Sequence, residues 1–507
     1  MLKRVIVIAL AYLGVVVGAG FSSGQEVLQY FVAHGSTGII AVAITAGFMA
    51  IIGVAALQLG SYSGAKDHST VFNQIAHPVI ARALDVFIVF TLFSIGFVMI
   101  AGAGSNLNQQ FGLPVWVGSA LMVVLVIVTG LLDVDKVTKI IGGLTPFMIL
   151  MILSGAIYAF LNPDGTVDEM QLYSNTLEPA LSSLSLSTVN YIALAFATGA
   201  SMMIVMGGDM FNPKEAGVGG LVGGLMFGTL LVIATMALFL KLPSVADSPM
   251  PTLALVDSMH PTLGLFAAIV IYGMIYNTAV GMYYALSKRA AGVRKSYFKP
   301  ALFGTVLIGF ALSFVGFESL VGNLFPIIGY VGIALTALII IGWFSSREKI
   351  SEEASRRERI RQLFRRRWQK EVPYTPEHHE ELTEEIKSST LNNREVVGSL
   401  RDQVVAEIEA DPDADLDPVL TAHYGYSDGE FENDEFDFRH PTSLGNGDPQ
   451  PFEPGTDLFD EADEEAGSAD FEGDNEAGSA DFEGDNEADE TAVEGENSEP
   501  SEKSQQV

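Results

Sequence analysis

Along the first two thirds of the chain, apolar residues come in long runs, and polar residues gather in the gaps between them. The runs lie near 5–31, 38–60, 83–105, 114–132, 139–161, 187–210, 218–240, 262–287, 300–317 and 321–344. Each is close to the roughly 20 residues needed to cross about 30 Å of hydrocarbon. The pattern predicts an all-α polytopic membrane protein with about ten transmembrane helices within residues 1–346. A cleaved signal peptide is the alternative for the first run, with Lys3-Arg4 ahead of it and small residues at Ala19-Gly20. The apolar stretch resumes at Val27–Val32 and many further runs follow, which argues against it.

Loop charge gives the expected orientation. With the N-terminus inside, the inner segments hold Lys3, Arg4, Lys66, Arg82, Lys136, Lys139, Lys214, Lys288, Arg289, Arg294, Lys295 and Lys299. The outer loops hold only Lys241. Cytoplasmic loops carry the excess of Lys and Arg, so an even number of spans in a cell membrane, with both termini cytoplasmic, is expected.

Composition divides the chain in two. Of its 60 Asp and Glu residues, 14 precede residue 347, where they nearly balance 13 Lys and Arg. Nearly all of the overall charge of −32 therefore belongs to residues 347–507. The absence of cysteine excludes disulfides, thiolate catalysis and thiolate-bound metals. His34, His68, His77 and His260 are scattered among loops on both sides, and no P-loop pattern occurs. Neither an enzyme nor an ATP-driven pump is expected.

Within the first run stands Gly14-Val15-Val16-Val17-Gly18-Ala19-Gly20-Phe21-Ser22-Ser23-Gly24-Gln25-Glu26. Gly costs about 1 kcal/mol against Ala in a helix interior. Close packing explains glycines but not Ser22, Ser23, Gln25 and Glu26. Irregular backbone survives at membrane depth only where protein or a water-filled cavity satisfies it, so a broken helix beside a cavity is expected. A comparable interruption is expected in the sixth run at Ala197-Thr198-Gly199-Ala200-Ser201, with Gly207-Gly208-Asp209 at its end. Paired interruptions in corresponding positions of two halves point to a transporter's binding site. Gly220, Gly224 and Gly228 in the seventh run instead form a helix-packing face.

This ten-run layout resembles the LeuT-like fold of the amino acid–polyamine–organocation superfamily, a five-plus-five inverted repeat. The run Gly-Ala-Gly-Phe-Ser-Ser-Gly-Gln-Glu is more narrowly similar to the YkvI-type membrane proteins. The resemblance implies a secondary active transporter of a small organic solute, an amino acid or related amine, working by alternating access. Gly18, Gly20, Ser22, Ser23, Glu26, Thr198, Gly199 and Ser201 would then bind the substrate. No cofactor is expected, and the coupling ion is Na⁺ or H⁺. In sodium-coupled members, carbonyls matching Gly14 and Val17 would hold Na⁺ with a hydroxyl from the eighth run, where Thr278 is the candidate. This sequence departs from the pattern in having no adjacent Thr-Ser or Ser-Ser pair there. The competing class is a non-transporting receptor or scaffold that displays the tail.

Among other polar residues of the apolar runs, Glu26 is a functional candidate by its membrane depth. Asp85 and Asp209 lie near cytoplasmic ends, Glu318 in a tight turn, and Asn106 and Asn108 near the outer end of the third run. Tyr272, Tyr276, Tyr283 and Tyr284 are expected to pack or to sit at the membrane interface.

Residues 347–372 include the arginine-rich 356–368, in which Ile360, Leu363, Phe364 and Trp368 fall at helical spacing. This predicts an amphipathic helix on anionic lipid headgroups rather than on nucleic acid. Residues 373–507 are acidic and poor in aliphatics, and Glu465–Asn475 repeats as Glu476–Asn486. Such a segment is expected to be disordered.

Overall fold

The computed structural model describes residues 2–132, 144–292, 294–369, 372–391, 400, 403–411 and 414. Lys136 and Lys139, the start of the fifth run and the duplicated 465–486 segment lie outside the described residues, as does most of 373–507.

Each apolar run coincides with helix. The first divides into α1 (Leu2–Val16), α2 (Ala19–Ser23) and α3 (Gln25–Tyr30). Then come α4 (Ser36–Ser63), a short α5 (His68–Ile75), α6 (Pro78–Phe111), α7 (Val115–Leu131) and α8 (Thr145–Leu161). After a surface helix, α9 (Val167–Ser174), the second half follows as α10 (Leu184–Gly208), α11 (Pro213–Leu240), α12 (Pro251–Met259), α13 (Pro261–Ala291), α14 (Phe298–Leu312) and α15 (Phe317–Trp368). The helix α16 (Pro376–Lys387) lies beyond. Among the described residues, seven helices are long and apolar enough to cross a membrane. Three shorter apolar stretches, Arg4–Val16, Val115–Leu131 and Thr145–Leu161, match the remaining runs.

Packing repeats between the halves. Helices α1, α4, α10 and α11 form one group, in which α1 lies on α11 as α10 lies on α4. Helices α6, α7, α13 and α14 form a second group. The last helix of each half packs back on the first group, α8 on α11 and α15 on α4. Several of these contacts thus have counterparts in the other half, although the extensive packing of α15 on α10 has no comparable contact between α8 and α1 among the described residues.

In α4, Ile40, Ile44, Phe48 and Ile51 face outward and are 43–65% exposed, whereas the small residues Ala50, Gly53, Ala56 and Gly60 face inward. Hydrocarbon solvates leucine and isoleucine as well as a protein core does, so close backbone approach drives helix association in a membrane. The seventh-run glycines act accordingly. A Cβ on Gly220 would lie 2.3 Å from the Gly53 carbonyl oxygen, one on Gly224 2.5 Å from the Ala50 Cα, and one on Gly228 2.2 Å from the Ala46 Cβ.

Three expectations need correction. The sixth run is not interrupted: α10 is continuous from Leu184 to Gly208. Its polar residues are satisfied without unwinding, since Thr198 donates to the Ala195 carbonyl at 3.0 Å and Ser201 meets the His68 Nδ1 at 2.8 Å. Gly199 lets α1 approach, as its Cβ would lie 3.1 Å from Val15.

The arginine-rich stretch is also no separate juxtamembrane element. It is the end of α15, a single helix of 52 residues. Its apolar face, Ile360, Leu363, Phe364 and Trp368, is buried against protein. Its arginines meet carboxylates of the segment that follows: Arg359 meets Glu381 at 2.6 Å, Arg356 meets Glu385 at 3.3 Å, Arg361 meets Glu407 at 3.0 Å, and Arg365 pairs with Asp411. The first part of the expected disordered tail is therefore ordered, with α16 and a helical stretch over 403–409.

Candidate functional site

The break in the first run is present. Val17 still donates to the Leu13 carbonyl, but Gly18 turns its N–H to the Val16 carbonyl at 2.7 Å and adopts an extended conformation. The ladder resumes when Ser22 donates to the Gly18 carbonyl. Gly24, at φ +83°, then separates α2 from α3. That left-handed backbone favours glycine, and a Cβ there would lie 2.5 Å from the Thr252 hydroxyl of α12. The sequence from Val17 to Gly24 thus turns one spanning helix into three short pieces.

Glu26, on the first turn of α3, folds back over α2. Its carboxyl group lies against Gly20, where a Cβ would fall 1.4 Å from the Glu26 Oε1. Ser22 and Ser23 are fully buried beside it. Ser23 donates to the Gly20 carbonyl at 2.7 Å and accepts from the Gln25 N–H at 3.2 Å, which ties α2 to α3. Gly18, Gly20, Ser22, Ser23 and Glu26 are therefore brought together.

The other candidates are arranged differently. Thr198, Gly199 and Ser201 lie along intact α10, and Gly199 meets α1 at Val15, below the break. Gly14 faces Thr145 at the start of α8, 3.7 Å from its would-be Cβ. Thr278 is on α13, which packs against α2, and gives its hydroxyl to the Met274 carbonyl one turn back at 3.1 Å. Among the described residues no three His, Cys, Asp or Glu side chains are grouped as a metal site.

Several residues around the break were not singled out as site residues from the sequence. Asn190 of α10 is fully buried. It accepts from the Tyr30 hydroxyl at 3.1 Å and donates to the Pro326 carbonyl at 2.9 Å, joining α3, α10 and α15. Ser187 donates to the Tyr30 carbonyl at 2.8 Å. Gln25 is 5% exposed, and its Oε1 has no hydrogen-bond partner among the described residues. Asn106 of α6, placed near the outer end of the third run, is fully buried, and neither of its side-chain polar atoms has a partner among the described residues. A lone amide in an apolar helix was the available signal for Asn190 and Asn106, whereas Gln25 belongs to the polar group of the break.

On the side that carries the start of α1, a polar cluster joins the two helix groups. His68 contacts Ser201 through Nδ1, and through Nε2 it contacts Arg289 at 2.8 Å and Asp85 at 3.4 Å. Arg289 and Asp85 form an ion pair. On the opposite side, Lys241 is buried and paired with Asp164.

No protein-family model matches the chain. The chain is similar to the uncharacterised membrane protein YkvI of Bacillus subtilis, at 25% identity over 339 residues, 66% of this chain and 94% of that one. A second protein of the same organism, uncharacterised YyaD, is 27% identical over 339 residues, 66% of this chain and 95% of its own length. Among solved structures, MhsT in complex with L-phenylalanine is 16% identical, with 78% of this chain and 98% of that one covered and a TM-score of 0.49.

Proposed function

We propose that this chain is a secondary active transporter of a small organic solute, an amino acid or related amine, that works by alternating access. The supporting observation is the broken first span, in which the Glu26 carboxyl lies on the bare backbone of Gly20 beside buried Ser22 and Ser23. An ionisable group and unladdered backbone at membrane depth are costly, and they recur where a substrate or ion is held. The carboxyl suits the ammonium group of an amine, and hydroxyls and amides of the break suit its polar remainder. The coupling ion is Na⁺ or H⁺; Na⁺ would lie between the Gly14 and Val17 carbonyls and Thr278, and Glu26 is the group able to carry H⁺. Both termini face the cytoplasm, on the strength of loop charge.

The test is a thermal-shift panel on purified protein, with and without Na⁺, across amino acids and small amines. A ligand at 100 times its dissociation constant adds about 2.7 kcal/mol of stability. Stabilisation by one compound class, removed by replacing Gly20 or Ser23, is the expected outcome. A panel without any stabilising compound, at neutral and acidic pH, would count against this substrate class.

A further inference from the structure

The first span is cut at Val17–Gly18, so α1 is a rod that can tilt independently of α2 and α3. Its first turn is held from outside the membrane core. Arg4 donates to Gln403 and to Glu407, each at 3.0 Å, and lies 3.7 Å from Glu215 at the start of α11. The Oε1 of Glu407 that takes Arg4 also takes Arg361 of α15 at 3.0 Å. One carboxylate oxygen thus joins the start of the broken helix to the end of the last one.

The 403–409 stretch is fixed in place by more than charge. Leu400, Val404 and Ile408, four residues apart, are fully buried. Upstream, Arg357 and Glu353 of α15 are 0% and 1% exposed. Arg357 gives one N–H to Glu353, one each to the carbonyls of Ser61, Tyr62 and Phe211, and one to the Thr390 hydroxyl. That uses all five donors of a guanidinium. Glu353 also accepts from Ser389 and from the Thr390 N–H.

The two contacts differ in kind. The Arg357–Glu353 node is dry, and breaking a buried pair leaves an uncompensated charge. The Arg4–Glu407–Arg361 contact is 26–29% exposed. Such pairs are weak and screened by salt. We infer that the described residues 376–391 and 403–411 act as a strap, anchored permanently where Ser389 and Thr390 meet Arg357–Glu353 and clasped reversibly at Arg4–Glu407–Arg361, that keeps α1 closed on α10 and α11 until the clasp releases. This rests on the alternating-access reading, because it supplies the control on opening at the side that carries Arg4.

The chain has no cysteine, so a single introduced thiol reports cleanly. Val15→Cys lies on α1 where it meets Gly199 of α10. Its labelling by a polar maleimide is measured on the full chain in nanodiscs. Ionic strength is taken from about 0.01 M to about 1 M, which shortens the Debye length from about 30 Å to about 3 Å. Labelling is expected to be slow at low salt and several-fold faster at high salt. Glu407→Gln, and separately a chain ending at residue 391, should label fast at both. Arg361→Lys, which keeps the charge, should stay slow at low salt. Melting curves within a few degrees of the parent establish that each variant is folded. Equal labelling rates in all variants and salts would overturn the strap and leave alternating access standing. No labelling in any of them would mean that α1 does not part from α10, and both readings would fall.

Discussion

The carboxyl group of Glu26 occupies the space in which Gly20 would carry a side chain, with Oε1 1.4 Å from the position of a Cβ. The two residues are six apart in sequence and belong to different helical pieces, so the contact exists only because Gly24 turns the chain between them. Gly20→Ala should therefore evict the carboxyl. The expected outcome is a loss of transport of at least about tenfold, equivalent to about 1.4 kcal/mol, with smaller change in melting temperature. Unchanged transport in a correctly inserted Gly20→Ala protein would remove Glu26 from the site.

Two glycines in neighbouring helices separate packing from propensity. A Cβ on Gly224 meets the α4 backbone at 2.5 Å, whereas Gly47 has nothing within 4 Å. Gly224→Ala should destabilise by about 1–3 kcal/mol through overpacking. Gly47→Ala should be neutral or stabilising by up to about 1 kcal/mol. Paired thermal melts in one detergent decide it, and the same sign for both would contradict the packing described.

Asn190 bridges Tyr30 and the Pro326 carbonyl. Asn190→Leu should cost about 1–3 kcal/mol, since it leaves buried polar groups unpaired. Tyr30→Phe added to it should cost little more, because the two share one bond. Full additivity in the melts would show that the bond contributes nothing.

Acid should loosen the Arg357–Glu353 node. Burial raises the Glu353 pKa, but hydrogen bonds from Ser389 and Arg357 outweigh it and hold the carboxyl below the ordinary range. A depressed folded-state value stabilises fully above the unfolded-state pKa, about 4.3 for Glu. That stability is lost as pH falls through the lower folded-state value. Glu353→Gln should cost about 3–5 kcal/mol at neutral pH. The gap between its melting temperature and the wild type's should be constant from pH 8 to above about 5 and close below about 4. A gap independent of pH would place Glu353 outside the acid response.

The spans and the first break were legible because each follows from local composition: run length for the spans, and Ser22, Ser23, Gln25 and Glu26 among glycines for the break. Span six was misjudged for a physical reason. Gly199 and Ser201 have the same local signature as residues of a break, but their partners, Val15 and His68, lie far off in sequence. The ordered part of the tail escaped for a related reason. Arg361 and Arg365 find Glu407 and Asp411 46 residues later, and composition records how many charges a segment has but not which ones meet. Asn190 was passed over, because its role needs Tyr30 and Pro326, from opposite ends of the membrane domain.

The 52-residue α15 contains Pro326 near its start. At 1.5 Å per residue, the rod from Pro326 to Trp368 is about 63 Å long. Prolines are where helices bend. With such an arm, a change of about 5° at Pro326 would displace a free end at Trp368 by about 5 Å, as far as one full helical turn. That end is not free: Arg357 holds it to the Ser61, Tyr62 and Phe211 carbonyls, and the Pro326 carbonyl is bonded to Asn190, and Asn190 to Tyr30 just beyond the break, so α15 works as a brace that resists bending between two fixed points.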